Sequence, residues 1–416
     1  MRGCLIQAVF ANSVLPHLAS AVLSHNLILF LVSRFCGGTA MTLLRAAIAW
    51  HVFELTNSAF HLGLIGLVQF APVLALTLIG GAVADAYERR RVIMLAQLVP
   101  LVCGIALFAT TSAGLADVRV LYGLVLVIAA ASAFENPARA ALLPTLVSRA
   151  QFPRAVTLAS TAQALAFVSG PAVAGVLIAA AGIAVAYAAY AVLIVGSVIG
   201  LALLHPLSSA PARQISWSAV REGLAFLRRA PVVLGCMTLD MFAVIFGGAT
   251  ALLPIYARDI LHVGPTGYGV LSASLEAGAL LAALVMVLIP PIERAGRALL
   301  MAVTVYGAAT IGFGLSSWFP LSVAFYMVCG MADQVSVVLR STAVQLSTPD
   351  ALRGRVSAVN FIFIGASNQL GAVESGFVAA LTNPVFAVVS GGVGTLLVVV
   401  LVATMLPELR RYRIRA

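Results

Sequence analysis

The chain has 416 residues, of which 62% are hydrophobic and 9% are charged, and its mean hydropathy is +1.08. A soluble domain carries roughly 25% charged residues, so this chain could not cover a globule of its size with a hydrated surface. The composition therefore argues against a soluble enzyme, a nucleic-acid-binding domain and a disordered chain. It favours a protein with many membrane spans.

The formal net charge is +10, and all 24 basic residues are arginine. A chain without lysine has no lysine-based catalysis and no Walker-type phosphate loop. The arginines stand in short clusters between apolar runs, which favours anionic lipid headgroups over nucleic acid as partners. The five cysteines are scattered without metal-ligand spacing, so we predict neither a metal nor another cofactor.

Twelve apolar runs are long enough to cross a hydrocarbon core, which requires about 20 residues per helix. These runs are too long to be membrane β-strands, and they lack the alternation of polar and apolar residues that such strands show. The predicted fold class is therefore all-α and integral to the membrane, with transmembrane helices at 27–52, 59–83, 92–113, 120–136, 156–181, 183–204, 232–256, 267–290, 298–317, 319–339, 356–381 and 384–406.

The arginines between the runs predict the orientation, because cytoplasmic loops carry the excess of positive charge. With the N-terminus in the cytoplasm, the cytoplasmic segments hold 20 arginines and the opposite segments hold two, Arg119 and Arg258. Both termini are therefore predicted to be cytoplasmic.

Residues 1–26 are predicted to be a cytoplasmic segment with a short interfacial helix. A signal peptide stays open as an alternative, since Leu18-Ala19-Ser20-Ala21 faintly resembles a cleavage site.

The longest polar stretch, 205–231, divides the chain into two sets of six spans. It contains a basic amphipathic segment from Trp217 to Arg229. The predicted organisation is an N-terminal six-helix bundle at 27–204, a cytoplasmic linker with an amphipathic helix at 205–231, a C-terminal six-helix bundle at 232–406, and a basic cytoplasmic tail at 407–416.

The two halves resemble each other in sequence. Arg139 precedes Arg154 by 15 residues, Arg340 precedes Arg355 by the same interval, and the offset between the two pairs is 201. Parallel repeats of six spans are the arrangement of a large class of transporters, in which the substrate site lies between the halves near the middle of the membrane.

The loop after the second span carries a recognisable motif. The sequence from Gly81 through Asp85 to Arg89 and Arg90 resembles the Gly-x-x-x-Asp-x-x-x-Arg-Arg signature of the major facilitator superfamily. We expect Gly81 to allow a close approach of two helices, Asp85 to accept hydrogen bonds at a helix N-terminus, and the arginines to bind carboxylates or lipid phosphate. The resemblance implies that this loop latches the outward-facing state.

Three further segments resemble the bacterial secretion-effector branch of that superfamily, which includes enterobactin exporters and macrolide efflux pumps. They are Trp50–Ser58 at the end of the first span, Asn136–Val147 after the fourth, and Leu352–Val356 before the eleventh. The branch usually has an acidic residue four positions before an arginine in the first span. Here Arg45 is present but Met41 occupies the acidic position, which casts doubt on a coupling role for a carboxylate in that span.

The fifth span contains Gly170, Pro171 and Gly175, and it is similar to the antiporter motif of the superfamily, which is typical of exporters. Small residues allow close helix contacts, and the proline bends the helix. Generic packing of small residues is the alternative explanation.

Charged residues inside the spans are costly, at roughly 2.5–3.5 kcal/mol each on the mildest scale, so each is a functional candidate. The resemblance places spans one, four, seven and ten around the cavity. Asp240, Asp333 and Arg45 are then expected to line it, with Glu276 beside it. We hypothesise that Glu276 or Asp240 carries the proton and that substrate competes with it. A static ion pair is the alternative.

Arg139, Arg340, Arg353 and Arg355 lie at the cytoplasmic ends of helices, so we expect them to form a gate between the halves or to contact lipid.

The sequence as a whole predicts a monomeric secondary transporter, not an enzyme. It is expected to work by alternating access and to export an amphipathic small molecule, such as a drug, a macrolide or a siderophore, in exchange for protons. Two alternatives stay open. They are a proton-coupled uptake symporter for a small metabolite, and a non-transporting membrane scaffold.

Overall fold

The computed structural model describes residues 24–148, 150–205, 230–290 and 292–414. Every regular element in these ranges is helical. In chain order the long helices are α1 His25–Thr56, α2 Ala59–Ala86, α3 Arg89–Ser112, α4 Val118–Leu142, α5 Phe152–Ala181, α6 Ile183–Ala202, α7 Pro231–Phe246, α8 Gly264–Leu288, α9 Ala295–Leu315, α10 Phe319–Leu346, α11 Asp350–Leu381 and α12 Pro384–Met405. A short helix, α13, covers Pro407–Arg411.

Local sequence explains where several helices begin and end. Before α1, the Ser24 hydroxyl accepts a hydrogen bond from the Leu27 amide, and before α12 the Asn383 side chain accepts one from the Phe386 amide. Proline occupies the first position of α12, where its missing amide costs nothing. Asn57 ends α1 in the left-handed region, with φ of 48°, which asparagine tolerates better than most residues.

Eleven stretches among the described residues are long and apolar enough to cross a membrane. α11 is equally long, but it includes Asn368, Gln369 and Glu374, which make it more polar. Large apolar side chains lie on the outer surface, among them Val192, which is 70% exposed, and Met301, which is 68% exposed. An apolar exterior of this kind suits a lipid environment. The prediction of an all-α membrane fold is confirmed.

The helices of the two halves pack in the same pattern. α1 packs against α5 and α6, α2 against α4, and α3 against α4 and α6. In the second half α7 packs against α11 and α12, α8 against α10, and α9 against α10 and α12. Among the described residues the two most extensive contacts between the halves are α2 with α11 and α5 with α8, and they are also related by the shift of six helices. The predicted pair of pseudo-symmetric six-helix bundles is confirmed.

The helices alternate in direction, so the loops gather at two ends of the molecule. We call the end that carries Asn57 the Asn57 face, and the opposite end, which carries Arg89, the arginine face. The arginine face is the one that the charge distribution predicts to be cytoplasmic.

The seventh span differs from the prediction of one helix over 232–256. α7 ends at Phe246, and the chain continues through a 3-10 turn at Ala249–Leu252, a short turn at Leu253–Ile255 and a π turn at Tyr256–Ile260. The cause is the Gly247-Gly248 pair. A Cβ on Gly247 would lie 2.4 Å from the Tyr306 ring, and one on Gly248 would lie 2.4 Å from the carbonyl oxygen of Gly371. Glycine is required by these contacts and is also a weak helix former.

Other helix ends differ from the predictions by a few residues. Arg89 and Arg90, predicted to lie in a loop, form the first turn of α3, and α11 begins at Asp350 rather than at 356. The predicted interfacial helix within 1–26 falls outside the described residues up to position 23. The predicted amphipathic helix of the linker, Trp217 to Arg229, also falls outside them. The proposed domain limits remain predictions.

Candidate functional site

Arg139 lies at the centre of a buried polar network in the first half. Its guanidinium donates to Glu135, one turn earlier on α4, with Nη2 2.6 Å from Oε1. Glu135 Oε1 also accepts from Gln97 Nε2 of α3 at 2.9 Å, and Gln97 donates to the Ser197 hydroxyl of α6 at 3.0 Å. The Ser33 hydroxyl of α1 lies 3.4 Å from Arg139 Nη1 and 3.0 Å from the Ser197 hydroxyl. One cation is thereby tied to four helices.

Arg340 occupies the corresponding position in the second half, where it forms an ion pair with Asp240 of α7. Both side chains are buried, with 5% and 10% of their surfaces exposed. A buried ion of this kind is stable only with its counterion. Asp240, predicted as a proton carrier in the cavity, is therefore held by a partner, and Arg340, predicted as a gate between the halves, contacts its own half.

A narrow cavity, lined in part by Asp240 and Tyr306, adjoins this ion pair. Asp333 and Ser336 of α10 also line it. Since Asp240 and Asp333 share one small cavity, two of the predicted residues are brought together by the fold. The cavity belongs to the second half alone.

Glu276 and Arg45 approach each other from the two halves. Glu276 is the thirteenth of the 25 residues of α8, and Arg45 lies on α1 close enough for an electrostatic interaction with it. Asp333 also lies within electrostatic range of Glu276. Among the described residues, no nitrogen and oxygen atoms of these three side chains come within 4.0 Å to form an ion pair.

Arg45 has an exposed side chain although it lies more than halfway along a membrane helix and is surrounded by protein. Such a combination is a property of a residue that lines an internal cavity. Glu276 is partly exposed in the same region. Arg45, Glu276 and Asp333 therefore form the candidate site, at the junction of the two bundles.

Glycines bring the halves together near the Asn57 face. A Cβ on Gly175 of α5 would lie 2.6 Å from the Pro265 carbonyl oxygen and 2.7 Å from Gly269 Cα of α8. At the pseudo-symmetric contact, a Cβ on Gly376 of α11 would lie 2.4 Å from Gly63 Cα of α2. Helices can approach this closely only where the side chains are absent.

The predicted antiporter motif divides between two roles. Gly170 packs within its own half, where a Cβ would meet the Thr42 hydroxyl of α1. The carbonyl oxygen of Pro171 would lie 2.8 Å from a Cβ on Gly269, so Pro171 and Gly175 face the other half. The motif therefore contributes to the contact that joins the bundles.

Polar and aromatic contacts reinforce that contact. Arg258 Nη2, beyond α7, donates to Asn57 Oδ1 at 2.5 Å, and the same guanidinium lies 4.0 Å from the ring centre of Phe53. The Tyr268 hydroxyl donates to the Ala46 carbonyl at 3.1 Å, and the Trp50 and Tyr268 rings lie 5.5 Å apart. In this conformation the halves are held together on the Asn57 face.

The loop between α2 and α3 places its arginines on backbone carbonyls. Arg90 donates to the Leu204 and Ala202 carbonyls at the end of α6, each at 2.5 Å, and Arg89 donates to the Ala141 carbonyl of α4 at 3.1 Å. These are the unpaired acceptors at the C-terminal ends of helices, where positive charge is favourable.

Gly81 does not mediate the expected close approach. No atom of the described residues lies within 4 Å of a Cβ placed at Gly81, whereas a Cβ at the preceding Gly80 would lie 2.2 Å from the Ala133 carbonyl oxygen of α4. The close contact is therefore one residue earlier than predicted. The side chains of Asp85 and Arg355 lie outside the described part of the structure, and Arg353 donates to the Gln345 carbonyl at 3.2 Å.

A protein-family model described as "transmembrane secretion effector" matches residues 21–413. The chain belongs to the transmembrane secretion effector family. The match covers both bundles and the contacts between them, so the family resemblance drawn from the sequence is confirmed.

Named members of this family support the same grouping. The chain is 28% identical over 390 residues to the enterobactin exporter EntS of Shigella boydii, and 29% identical over 391 residues to EntS of an Escherichia coli O6 strain. In both cases 92% of each chain is covered. The secretion effector family is a family of membrane transporters, and this chain is a multi-pass transporter of that kind.

Solved structures share the fold of this secretion effector at low sequence identity. A bacterial homologue of the lysosomal transporter Spinster, inward-facing and unoccupied, matches with a TM-score of 0.66 and 15% identity, over 94% of this chain and 97% of that one. The nucleoside transporter NupG matches with a TM-score of 0.71 and 11% identity, over 91% and 99% of the two chains. The fold is that of the major facilitator superfamily.

Sequence reasoning missed several polar residues that this transporter uses. Gln97, Ser33 and Ser197 complete the Arg139 network, and the Tyr306 hydroxyl donates to the Gly247 carbonyl at the break after α7, at 3.1 Å. The available signal was a polar side chain in an apolar run, for example the amide of Gln97 in α3. The sequence alone does not indicate which partner such a group finds across a bundle.

Proposed function

We propose that this secretion effector is a proton-coupled exporter of an amphipathic small molecule that works by alternating access. The observation that carries the proposal is that Glu276, midway along α8 of the second half, and Arg45, on α1 of the first half, lie within electrostatic range of each other. An ionised carboxylate at that depth is costly, so uptake of a proton by Glu276 would remove the cost. A carboxyl group that moves away from a positive charge when the halves separate is suited to exchange protons for cargo.

Alternating access is supported by how the halves touch. The contacts named above between them, Arg258 with Asn57 and Tyr268 with Ala46, lie towards the Asn57 face. If the arginine face is cytoplasmic, as its charge predicts, this conformation is closed to the outside. Rocking of one bundle against the other about the central site would open the Asn57 face.

The direction and cargo are supported by the relatives. Both relatives named above are enterobactin exporters, so enterobactin is the first cargo to test, and a bacterial inner membrane is the expected location. The spans offer few polar groups for a sugar-like cargo, which supports an amphipathic one.

The experiment is transport by the purified protein in liposomes that contain a pH-sensitive dye. With a pH gradient imposed, enterobactin movement should be accompanied by proton movement in the opposite direction. Glu276→Gln should abolish the coupled proton flux, while the matched control Glu408→Gln, an acid in the exposed helix α13, should retain it.

Three outcomes would contradict parts of this proposal. Unchanged coupling in Glu276→Gln would remove that residue from the proton path. Protons that accompany the cargo in the same direction would indicate symport. Absence of enterobactin movement in the wild type would exclude that cargo, and a wider set of drugs and siderophores would then be tested.

A further inference from the structure

A pocket of about 170 Å³ lies on the arginine face of the second half. It adjoins the start of α9 and the chain that follows α12, so it stands at the ends of membrane helices. We call it the arginine pocket, and its lining residues are Arg294, Arg297, Arg410, Arg411, Tyr412 and Arg413. Its volume is roughly ten times the space that one water molecule needs.

Backbone contacts hold the two walls of the arginine pocket together. The Ile414 amide donates to the Glu293 carbonyl at 2.9 Å, and the Gly296 amide donates to the Tyr412 carbonyl at 3.2 Å. A Cβ on Gly296 would meet the Leu409 carbonyl oxygen, so only glycine allows this approach. The C-terminal tail is therefore fastened to the loop before α9, and the fastening brings arginines from two distant segments to one place.

No described carboxylate pairs with the arginines of the pocket. Within the described ranges, no carboxylate oxygen lies within 4.0 Å of a nitrogen atom of these five guanidinium groups, although Glu293 and Glu408 lie in the same segments. The corresponding loop of the first half differs, because there Arg91 pairs with Glu88 and Arg90 donates to carbonyls. Five like charges around one pocket repel each other, and an anion would remove that repulsion.

We propose that the arginine pocket binds a phosphate group. Guanidinium groups match phosphate oxygens in a bidentate geometry, and the N-terminus of α9 adds the positive end of a helix dipole. The position at the ends of α9 and α12, where lipid headgroups lie, favours the phosphate of an anionic phospholipid. Free inorganic phosphate offers the same chemistry and is the other possible source.

The test is binding of phosphatidylglycerol to the full-length protein in detergent, measured by native mass spectrometry. Inorganic phosphate is titrated in a parallel arm, with melting temperature as the readout. The wild type should retain phosphatidylglycerol. Arg294→Gln combined with Arg297→Gln should weaken binding about 30-fold, from roughly 1 kcal/mol for each arginine near an anionic headgroup.

A control double variant removes the same charge elsewhere. Arg91→Gln combined with Arg119→Gln changes two exposed arginines outside the pocket and should leave binding unchanged. Gly296→Ala keeps every charge but separates the tail from the loop, so it should weaken binding as the first double variant does.

Two results would support the proposal and two would overturn it. Retention of phosphatidylglycerol without a response to inorganic phosphate assigns a lipid headgroup, whereas stabilisation by inorganic phosphate that the Arg294→Gln, Arg297→Gln variant loses assigns a free anion. Equal binding by the wild type and that variant would overturn the site. Equal loss in the control double variant would also overturn it, since binding would then follow net charge alone.

Discussion

The two halves of the molecule neutralise a buried arginine in different ways at one matched position. Arg139 takes its counterion, Glu135, from its own helix and also donates to Ser33 of α1. Gln97 of α3 donates to Glu135 and links it to α6. Arg340 takes its counterion, Asp240, from another helix. The first arrangement neutralises the charge wherever α4 moves, whereas the second fixes α10 to α7. The comparison teaches that repeated sequence positions can retain a buried cation while its mechanical role changes.

The largest expected effect is at Asp240. Asp240→Asn leaves Arg340 buried without a counterion, and we expect a loss of roughly 3–5 kcal/mol in the free energy of unfolding. The melting temperature of the protein in detergent measures it. Glu135→Gln is the matched variant in the first half, and it should cost less because Ser33 still accepts from Arg139. Equal losses in the two variants would break the comparison.

The two glycine contacts between the halves provide a second test of the comparison. Here we expect equivalent substitutions in the two halves to have the same effect. Gly175→Ala and Gly376→Ala each insert a methyl group against the facing backbone, at an expected cost of roughly 1–3 kcal/mol. Both should open the Asn57 face, because that is where the inserted group separates the helices.

The opening can be followed as a distance between spin labels at the exposed positions Leu55→Cys and Asp259→Cys, which leave Asn57 in place, in a background without other cysteines. Gly81→Ala is the control, since no atom of the described residues lies within 4 Å of a Cβ there. A distance change in only one of the two glycine variants would show that the contacts are not equivalent.

The arginines before α9 are expected to contribute less to the free energy of unfolding than those at the start of α3. Arg90→Gln removes two charge-assisted hydrogen bonds to the end of α6, and we expect a loss of roughly 1–3 kcal/mol. Arg297→Gln removes a charge that has no such acceptor among the described residues, so we expect a change within about 0.5 kcal/mol. Thermal unfolding of both variants in lipid-free detergent measures the difference, and a larger loss in Arg297→Gln would reverse it.

The smallest effect is expected when both members of the second-half pair are replaced. Asp240→Leu combined with Arg340→Met removes the two charges together, and such replacements are often neutral for stability. Transport by this variant in liposomes then shows whether the pair matters for motion. A stable variant that transports normally would limit the pair to a structural role.

Much of the fold follows from the sequence, because lipid forces each apolar run to satisfy its own backbone as a helix. The number of helices, the two matched halves and the family follow from run length, arginine spacing and the loop motif. The break after Phe246 was accessible in principle from Gly247-Gly248, but hydropathy alone does not distinguish a glycine that packs in a helix from one that ends it.

The candidate site was harder to predict from the sequence than the fold. Sequence reasoning selected Asp240, Asp333, Glu276 and Arg45 as intramembrane charges, yet it could not separate the paired Asp240 from Glu276. Which charges meet depends on the rotation of each helix about its axis, and a span that is apolar on every side contains little information about that rotation. Gly81 illustrates the same limit, since the close contact lies one residue away, at Gly80.

The interruption of the seventh span divides it into one regular helix, α7, and a series of short turns at 249–260. α7 carries Asp240, which pairs with Arg340 of α10. The turns that follow lead to Arg258 and its hydrogen bond with Asn57. The Tyr306 hydroxyl of α9 donates to the Gly247 carbonyl at the break, and the Thr250 and Tyr326 hydroxyls lie 2.7 Å apart just beyond it. A tilt of the turns at 249–260 can therefore break the contact between Arg258 and Asn57 while α7 keeps its place. A displacement of α9 would drive that tilt.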